Sequence, residues 1–360
     1  MVKLAILQVA DTGPLESLVA MLQAVGIECA IPDTTLKNEL RGLGCDTVLD
    51  IKGLVEGMGY DQPMKLPEAH VADMRRSDVL YVDIKAHRNG PRIWKRWPNL
   101  KKRTLWYRIN GGKPEHVIKA SGEDCGDEAN PPCPVLTPDQ WYNLKSLDYL
   151  GEEPAPWADK SYCCWPPFVR MGEYNHKRNM EKHLQSNPTP PICLIHNVAG
   201  WGYQALTDGA RQLGVKCYGA GSPDGLINHR EIAVRLSSTV CMVHLKSNDA
   251  PGYALYEALA AACPVVCTHR LIWRCMMQEL LIPGETCLTF DQAEHHGGLS
   301  PEDVETCLAE IKAAIVRLSD PVENIRIGAA GRKRLQGIMW NTDNENDRKS
   351  LADFLGRMYS

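Results

Sequence analysis

Residues 246–257 read Lys-Ser-Asn-Asp-Ala-Pro-Gly-Tyr-Ala-Leu-Tyr-Glu, and residues 258–268 continue with Ala-Leu-Ala-Ala-Ala-Cys-Pro-Val-Val-Cys-Thr. An apolar run precedes this stretch, a helical pattern begins at about Tyr253, and a second apolar run ends it. The pattern predicts a strand, a loop, a helix and another strand. The first turn of such a helix carries unpaired backbone N–H groups and the positive end of the helix dipole. We therefore expect a phosphate to bind at this helix end.

Two acids flank the predicted phosphate position. Pro251 and Gly252 form the turn, and a glycine lets the backbone approach a phosphate closely. Glu257 lies about one turn into the helix, where it can accept hydrogen bonds from a sugar diol. Asp249 precedes the turn, with seven residues between the two acids. We expect the acids to bind both ends of a nucleotide sugar, while Gly252 and Tyr253 contact its diphosphate. Taken alone, a helix that opens after Pro-Gly is also typical of any doubly wound fold.

This spacing resembles the C-terminal domain of the retaining GT-B glycosyltransferases of the large group 4 type. In that family an acid, seven residues and a second acid are followed by small residues and by Pro-Val-Val. The resemblance covers residues 192–360. Its matching segments are 249–257, 258–262, 264–266, Asp320-Pro321, 327–332 and Trp340.

The resemblance implies an α/β fold of the GT-B type, with two Rossmann-like doubly wound domains facing a central cleft. It also implies a nucleotide-sugar donor bound mainly by the second domain and an acceptor bound mainly by the first. Transfer with retention, without a required metal or other cofactor, is a further implication. In such enzymes the second acid, here Glu257, binds the nucleotide ribose, and the first, here Asp249, lies close to the donor sugar.

One basic pair of the family has no counterpart in this sequence. The family places an Arg and a Lys on the loop after the first strand of this domain, whereas residues 196–202 read His-Asn-Val-Ala-Gly-Trp-Gly. A leaving diphosphate needs charge stabilisation, and losing one such donor can cost on the order of 3 kcal/mol. Lys246, just before the phosphate loop, is the favoured replacement, with His244, Arg270 or an arginine of the first domain as alternatives.

Alternating strand and helix patterns predict two doubly wound domains in the 360 residues. The predicted division is 1–170 for an acceptor domain, 171–191 for a Pro-rich linker, 192–340 for a nucleotide-sugar domain, and 341–360 for a helix that packs back toward the first domain. Strands are predicted at 3–10, 27–31, 78–84, 104–109, 134–136, 192–196, 215–218, 240–245, 265–268 and 286–290. Helices are predicted at 15–25, 203–213, 229–236 and 253–261, and the tail is predicted to be helical and amphipathic over 301–318 and then 322–360.

Loops that follow predicted strands carry further candidates, because ligands of doubly wound folds bind outside the carboxyl ends of the strands. At Gly13, where the first predicted strand ends, the resembled family has a flexible loop over donor and acceptor, and a plain helix N-terminus is the alternative. For each candidate, a structural turn or a surface loop is the open alternative. The nucleotide candidates of the second half are His196, Asn197, Gly219 and Gly221. The catalytic candidates of the first half are His87, Arg108 and Asn110.

A local basic segment extends from Lys85 to Arg103. It has eight Lys or Arg residues and no Asp or Glu, with Trp94 and Trp97 among them and Trp106 close behind. Such a segment is predicted to bind the phosphates of duplex DNA, to stack its aromatic side chains on bases, and to lose affinity steeply with salt. A solvated loop whose tryptophans belong to the core and an anionic membrane surface are the alternatives. The candidate DNA contacts are Arg92, Lys95, Arg96, Lys101, Lys102 and Arg103.

The composition excludes several classes of protein. With 44% hydrophobic and 23% charged residues the chain has enough apolar material to fold, and a formal charge of −4 excludes a general polycation. No run of 18 apolar residues occurs, so we expect no transmembrane segment and a cytoplasmic location. The 14 cysteines are scattered without a CxxC pair or a Cys/His cluster, which predicts reduced thiols and no metal site.

The sequence therefore predicts a hexosyltransferase that uses a nucleoside diphosphate sugar, with UDP-glucose or a similar UDP-sugar favoured. The best prediction for the acceptor is a 5-hydroxymethylated pyrimidine in DNA. GT-B enzymes of phages glucosylate such bases in duplex DNA, and this chain is compatible with them in layout; the target base would then leave the stack. The alternatives are an envelope glycan or lipid glycosyltransferase, a GT-B protein that binds nucleic acid or polysaccharide without turnover, and a nucleotide-sugar epimerase of the same fold.

Overall fold

Two units make up the chain, and each is described by itself. In a computed structural model, one unit comprises Met1–Phe168 and Trp340–Ser360, and the other comprises Val169–Met339. The chain therefore leaves the first unit once and returns to it with its C-terminal segment. The structure describes residues 2–8, 12–32, 48–49, 75–83, 94–95, 97–107, 133–137, 160–174, 190–194, 204–219, 222–225, 227, 229–245, 252–274, 277–291 and 299–360.

The described residues contain twelve β-strands and eight α-helices. The strands are β1 (Leu4–Gln8), β2 (Glu28–Pro32), β3 (Val48–Leu49), β4 (Val79–Asp83), β5 (Thr104–Tyr107), β6 (Val135–Thr137), β7 (Ser161–Cys163), β8 (Ile192–Leu194), β9 (Lys216–Tyr218), β10 (Met242–Val243), β11 (Val265–Thr268) and β12 (Cys287–Phe290). The helices are α1 (Thr12–Ala24), α2 (Gln204–Gln212), α3 (His229–Leu236), α4 (Tyr253–Ala260), α5 (His269–Arg274), α6 (Pro301–Leu318), α7 (Pro321–Ile338) and α8 (Glu345–Tyr359). Short 3-10 helices lie at Pro98–Lys102 and Met171–Glu173.

The sheet of the first unit has the strand order β3-β2-β1-β4-β5-β6-β7. Every neighbouring pair of its strands is parallel. Successive residues of β1 point to opposite faces, as the pleat requires. Leu4 and Ile6 pack with Trp97 on one face, whereas Ala5 and Leu7 belong to the core on the other face. The sheet is therefore covered on both sides, and its strand order reverses between β1 and β4.

The C-terminal helix α8 packs on this first sheet. Phe354 is buried in the same core as the strands. The hydroxyl groups of Tyr162, in β7, and Ser350 lie 2.7 Å apart, and the Tyr359 hydroxyl donates to the Thr104 carbonyl at 2.9 Å. The apolar stripe of the helix and these hydrogen bonds attach the end of the chain to the first unit.

The sheet of the second unit has the order β12-β11-β10-β8-β9, and its neighbouring strands are also parallel. All four residues of β11 are buried, which is typical of a parallel sheet covered on both faces. Apolar residues of α2, α6 and α7 pack with these strands in one core. The order of this sheet reverses between β8 and β10, so these two neighbouring strands mark its topological switch point.

The predicted α/β pattern of parallel sheets is confirmed, and each predicted strand has a counterpart whose ends lie close to the predicted ones. Two short strands, β3 and β7, were not predicted, because two or three residues carry too little periodicity. The predicted helical tail over 322–360 consists of two helices, since α7 ends at Ile338 and α8 begins at Glu345, and α8 lies within the segment predicted as a separate helix at 341–360. Residues 171–174 and 190–191, from the predicted linker, belong to the second unit.

Candidate functional site

The candidate donor residues lie around the switch point of the second sheet. The strands β8 and β10 are neighbours there, and in sequence residues 195–203 follow β8 and residues 244–252 follow β10, before α2 and α4. In open α/β sheets, ligands bind outside the carboxyl ends of the strands at such a point. The predicted residues of these two segments that lie outside the described residues are His196, Asn197, Lys246, Asp249 and Pro251.

The helix that follows β10 begins at a glycine with an unusual backbone conformation. Gly252 precedes α4 with φ 67° and ψ 158°, a region that other residues occupy only at a cost of about 1–3 kcal/mol. Because glycine has no side chain, the residue before the helix supplies no capping acceptor to the first turn. Tyr253 opens α4, and its ring lies edge-on to that of Tyr256, with centroids 6.0 Å apart. The amino end of α4 therefore has the backbone geometry expected of an anion site.

Glu257 lies on α4 one turn beyond this end and is almost completely buried, with 5% of its surface exposed. The Tyr174 hydroxyl donates a hydrogen bond to Glu257 Oε1 at 3.3 Å. Tyr174 follows the 3-10 helix Met171–Glu173 and is 2% exposed. Glu257 was predicted from sequence and Tyr174 was not, since no local pattern connects residues that are 83 positions apart.

Arg332, on α7, connects the segment that carries Tyr174 to the end of α4. Its guanidinium donates to the carbonyl of Tyr174 at 3.3 Å, to that of Met171 at 3.1 Å, and to that of Ala260. Burial lowers the pKa of Arg332 from its usual value. One side chain therefore bonds to three carbonyls on both segments around Glu257.

Two glycines let α7 lie close against α4. A Cβ atom on Gly328 would stand 2.0 Å from the Ala262 carbonyl oxygen, far inside van der Waals contact. A Cβ atom on Gly331 would stand 2.8 Å from Leu259 Cδ2. The segment 327–332, identified by its resemblance to a closing helix, is thus the element that packs behind the candidate site.

Other donor candidates also follow strands of this sheet. Gly219 comes directly after β9 with φ 142°, and its N–H donates to the Gly225 carbonyl at 2.9 Å, which closes a turn. Gly221 lies outside the described residues. The alternatives to Lys246 are placed differently: His244 is buried just after β10, and Arg270 is half-buried in α5, after β11.

In the first unit, the predicted residues lie at or after the carboxyl ends of central strands. Gly13 is in the first turn of α1, after β1. The catalytic candidates of this unit lie outside the described residues, in the sequence that follows β4 and β5; they are His87, Arg108 and Asn110.

A buried acid that was not predicted ends β4. Asp83 has no exposed surface, and its Oδ2 accepts a hydrogen bond from the Tyr81 hydroxyl at 2.6 Å. Burial, followed by the charge of Asp83, raises the pKa of Tyr81 well above its usual value. In the sequence Asp83 belongs to a predicted strand, which suggests a structural role. Only its position at the end of a central strand indicates that it lies next to the ligand-binding edge.

The described cations of the basic segment lie away from the ligand-binding edge of this sheet. Lys101, Lys102 and Arg103 immediately precede β5, so they lie at the amino ends of the strands. Lys95 is exposed before them, and Arg92 and Arg96 lie outside the described residues. The described cations at 101–103 are therefore at the edge opposite to the one at which ligands of this fold bind.

The aromatic part of the DNA prediction is wrong for the described tryptophans that lie in the core. Trp97 and Trp106 are each only 3% exposed, so their faces are not available to stack on bases. The Trp94 indole N–H donates to the Thr104 hydroxyl at 2.8 Å, and its ring packs against the same core as Trp97. Packing inside the unit, rather than nucleic acid, accounts for these side chains.

Three further observations concern chemistry and location. No disulfide involves the described cysteines, and burial raises the pKa of Cys241 to about 12, which disfavours a reactive thiolate at that residue. In the part of the chain that the structure describes, no group of three or more His, Cys, Asp or Glu is placed to bind a metal ion. No helix among those residues has the length and apolar character needed to cross a bilayer.

No protein-family model matches the sequence, and a search of curated proteins finds no significant match. Solved structures do match over the whole chain. A sucrose-phosphate synthase from Thermosynechococcus elongatus has a TM-score of 0.57 at 14% identity, covering 100% of this chain and 99% of its own. WaaG, a glycosyltransferase involved in lipopolysaccharide biosynthesis, has a TM-score of 0.53 at 11% identity, covering 98% and 99%.

The N-terminal domain of a trehalose-6-phosphate phosphatase from Candida albicans has a TM-score of 0.52 at 8% identity, covering 99% of this chain and 98% of its own. At such low identities these likenesses concern the fold alone. Together with the two parallel sheets, they show that this chain has an α/β fold of the GT-B type.

Proposed function

We propose that this protein is a glycosyltransferase that moves a hexose from a nucleoside diphosphate sugar to an acceptor hydroxyl. The arrangement of α4 supports the proposal. This helix follows a strand at the switch point of the second sheet, and Gly252, with positive φ, directly precedes it. The buried Glu257 lies one turn further along the helix. Helix amino ends bind phosphates, and a carboxylate accepts hydrogen bonds from a diol. Phosphate beside a diol is the layout of a nucleotide, and we favour a UDP-sugar such as UDP-glucose as donor.

The donor is proposed to lie along α4. Its diphosphate binds at Pro251, Gly252 and Tyr253, and its ribose hydroxyls donate to Glu257. The residues that follow β8, the neighbour of β10, and β9, the next strand along, are proposed to line the nucleotide. The residues proposed there are His196, Asn197, Gly219 and Gly221.

Transfer breaks the bond between the anomeric carbon and the diphosphate oxygen and forms a bond from that carbon to the acceptor oxygen. The acceptor hydroxyl loses its proton, and the diphosphate leaves with the bonding electrons. We propose that Asp249 orients the donor sugar and that Lys246 offsets the charge of the leaving diphosphate, because fixed opposite charge stabilises the charge that develops there. Retention of configuration is part of the proposal and rests on the resemblance of residues 249–257.

The acceptor is proposed to bind at the carboxyl ends of β1, β4 and β5 in the first unit. The side chains proposed to contact it, or to take part in proton transfer, are His87, Arg108 and Asn110, and Gly13, in the first turn of α1, is proposed to lie beside them. Support comes from the strand order, since β1, β4 and β5 are consecutive neighbours at the switch point of that sheet.

As acceptor we propose a 5-hydroxymethylated pyrimidine in duplex DNA, with a flipped target base. This part rests on Lys85, Arg88 and Arg92, which follow β4 in sequence. It does not rest on Lys95, whose neighbour Trp94 bonds to Thr104 at the start of β5, or on Lys101–Arg103, which precede β5 at the opposite edge. That opposite placement favours a second candidate, an envelope glycan or a lipid, for which no duplex need be bound beside the site.

Donor binding tests the proposal directly. Isothermal calorimetry with UDP and UDP-glucose should show that Glu257→Ala weakens binding by about 1.5–3 kcal/mol, or about 10- to 150-fold, since a charged hydrogen-bond partner of the ribose is lost. The control is Glu305→Ala, which removes an exposed acid of α6. Unchanged affinity in Glu257→Ala, with circular dichroism showing a folded protein, would contradict the proposed site.

Turnover tests the acceptor. The protein is incubated with a panel of nucleotide sugars and with either hydroxymethylated or plain duplex DNA, which is then digested to nucleosides and weighed. A mass gain of one hexose on the modified base alone supports the DNA acceptor. Transfer to anionic lipid or glycan instead supports the second candidate. Release of no nucleoside diphosphate from any donor, even by slow hydrolysis, would indicate a protein that binds without turnover.

A further inference from the structure

The Glu257 carboxylate has a defined partner within its own unit. Its Oε1 accepts the hydrogen bond from the Tyr174 hydroxyl at 3.3 Å, and the two residues are 5% and 2% exposed. A carboxylate offers about four lone-pair positions on its two oxygens. A hydrogen bond from a buried phenol therefore restricts the rotation of the carboxylate and remains compatible with further hydrogen bonds from a ligand.

Tyr174 is in turn held by Arg332. The guanidinium donates to the backbone carbonyl of Tyr174 at 3.3 Å and to that of Met171 at 3.1 Å. The same group donates to the carbonyl of Ala260, the last residue of the helix that carries Glu257. A guanidinium is planar and holds its five N–H donors in a fixed arrangement. The distance between the Tyr174 segment and α4 is therefore fixed by one rigid group.

The packing of α7 makes this connection stiff. Gly328 lies against the backbone of Ala262, just beyond the end of α4. Gly331 lies against Leu259, in the last turn of α4. Arg332 follows Gly331 directly, so its side chain starts from the point at which the two helices lie closest. The Tyr174 hydroxyl bonds to Glu257, and the Arg332 guanidinium bonds to the Tyr174 carbonyl. The three residues therefore form one connected set of contacts.

We propose that Tyr174, held by Arg332, is a positioning residue that orients the Glu257 carboxylate toward the 2′- and 3′-hydroxyls of the donor ribose. The consequence is specificity: the oriented carboxylate discriminates a ribonucleotide from its 2′-deoxy counterpart. This inference rests on the proposed function, because it assigns the ribose to Glu257. A site built to accept a hydrogen bond from a hydroxyl rejects the analogue that lacks the hydroxyl, since its buried acceptor is then left without that partner.

A purely structural role for Tyr174 predicts a different result. Loss of its hydroxyl would then lower the unfolding midpoint and weaken ribo- and deoxyribonucleotides by the same factor. A positioning role weakens mainly the ribonucleotide. The ratio of the two affinities therefore separates these roles, whereas either affinity alone does not.

The experiment measures dissociation constants by calorimetry for uridine, guanosine and adenosine diphosphates and for the 2′-deoxy form of each. The variants are Tyr174→Phe, Arg332→Lys and Glu257→Gln. The control is Tyr256→Phe, which removes the hydroxyl of a second buried tyrosine, one that contacts Met277 Sδ at 3.9 Å. Thermal unfolding of each variant shows that it is folded.

We expect the wild type to prefer the ribonucleotide, and Tyr174→Phe to lower that preference by about three- to tenfold, the scale of one hydrogen bond, with little change for the deoxynucleotide. Arg332→Lys should shift the ratio in the same direction, and Tyr256→Phe should leave it unchanged. A wild-type ratio in Tyr174→Phe, or equal loss of both ligands, overturns the inference while Glu257→Gln still abolishes the preference. If Glu257→Gln keeps the wild-type ratio, or no nucleotide binds, the proposed function fails and the inference fails with it.

Discussion

The two ends of α4 are treated in opposite ways by the protein. At the carboxyl end, the last four carbonyls, of residues 257–260, each accept a hydrogen bond: from the N–H groups of Ala261, Cys263 and Ala262, and from the Arg332 guanidinium. At the amino end, Gly252 offers no side-chain acceptor. By contrast, α6, α7 and α8 are directly preceded by Ser300, Asp320 and Asn344. The side chains of these residues accept hydrogen bonds from N–H groups in the first turn of each helix.

The two ends of α4 therefore have different roles. A closed carboxyl end fixes the position of the helix, because its backbone groups are satisfied by the protein and packed by α7. At the amino end the Leu255 N–H donates to the Gly252 carbonyl at 3.3 Å, and no side chain of the preceding residue occupies the place where an anion would bind. The comparison predicts that substitutions at the closed end change stability, and that substitutions at the open end change ligand binding.

The largest expected effect is at the closed end. Gly328→Ala places a Cβ atom 2.0 Å from the carbonyl oxygen and 2.9 Å from the carbonyl carbon of Ala262, and neither is part of a flexible side chain. The helices must separate, so we expect the free energy of unfolding to fall by about 3 kcal/mol, the upper part of the range for overpacking. Urea denaturation followed by circular dichroism measures this loss.

Gly337→Ala, on the same helix, is the matched control. A Cβ atom there meets no atom within 4 Å, so the substitution should raise stability by up to about 1 kcal/mol through helix propensity. Equal effects of the two substitutions would show that α7 does not lie close to α4, and the description of a closed end would then be wrong.

Most of the elements, but few of the contacts around Glu257, were predictable from sequence. Strands such as β11 are short buried apolar runs, and their pattern is local. The contacts of Tyr174 with Glu257 and with Arg332 join residues 83 and 158 positions apart, and no local periodicity reports such a meeting. The acid Glu257 was identified only because its spacing from Asp249 resembles a family pattern.

The basic segment also shows that closeness in sequence does not determine which residues share a surface. Residues that are neighbours in sequence were assumed to share a surface. A strand follows the segment and another precedes it, so residues after β4 and residues before β5 belong to opposite edges of a parallel sheet. The tryptophans were ambiguous for a similar reason, because composition does not distinguish a core aromatic from one that stacks on a base.

A smaller effect on stability, but a clear one on binding, is expected at the open end. Gly252→Ala forces a residue with a Cβ atom into φ 67° and ψ 158°, at a cost of about 1–3 kcal/mol. Because the turn lies where the diphosphate is proposed to bind, the affinity for UDP should fall about tenfold or more, measured by calorimetry on protein shown to be folded.

Gly214→Ala provides the matched control for this strain. Gly214 also has positive φ, at 90°, but it follows α2 at the amino end of β9, away from the candidate site. We expect it to lower stability by about 1–2 kcal/mol without changing UDP affinity. If both variants bind UDP as the wild type does, the amino end of α4 is not the phosphate site.

The smallest effect concerns the ion pairs at the start of α7, the helix that closes α4. Glu323 accepts hydrogen bonds from Arg326, with Nε to Oε2 at 2.7 Å, and from Arg317. The hydrogen bond from Arg326, with further contributions from Arg317, lowers the pKa of the Glu323 carboxyl from 4.5 to about 2. A carboxyl whose pKa is lower in the folded state stabilises the fold above its unfolded pKa, and the contribution disappears as the pH falls through the folded value.

Glu323→Gln should therefore lower the free energy of unfolding slightly at pH 7, and the difference from wild type should shrink as the pH falls from about 4.5 toward 2. Urea denaturation over this pH range measures the difference. Added salt should reduce it, since the pair is exposed and screened. Glu305→Gln, an exposed acid of α6 with no ion pair among the described residues, is the control. A difference that grows on acidification would mean that the carboxyl is not stabilised in its charged form, and the ion pairs at the start of α7 would then not stabilise the fold.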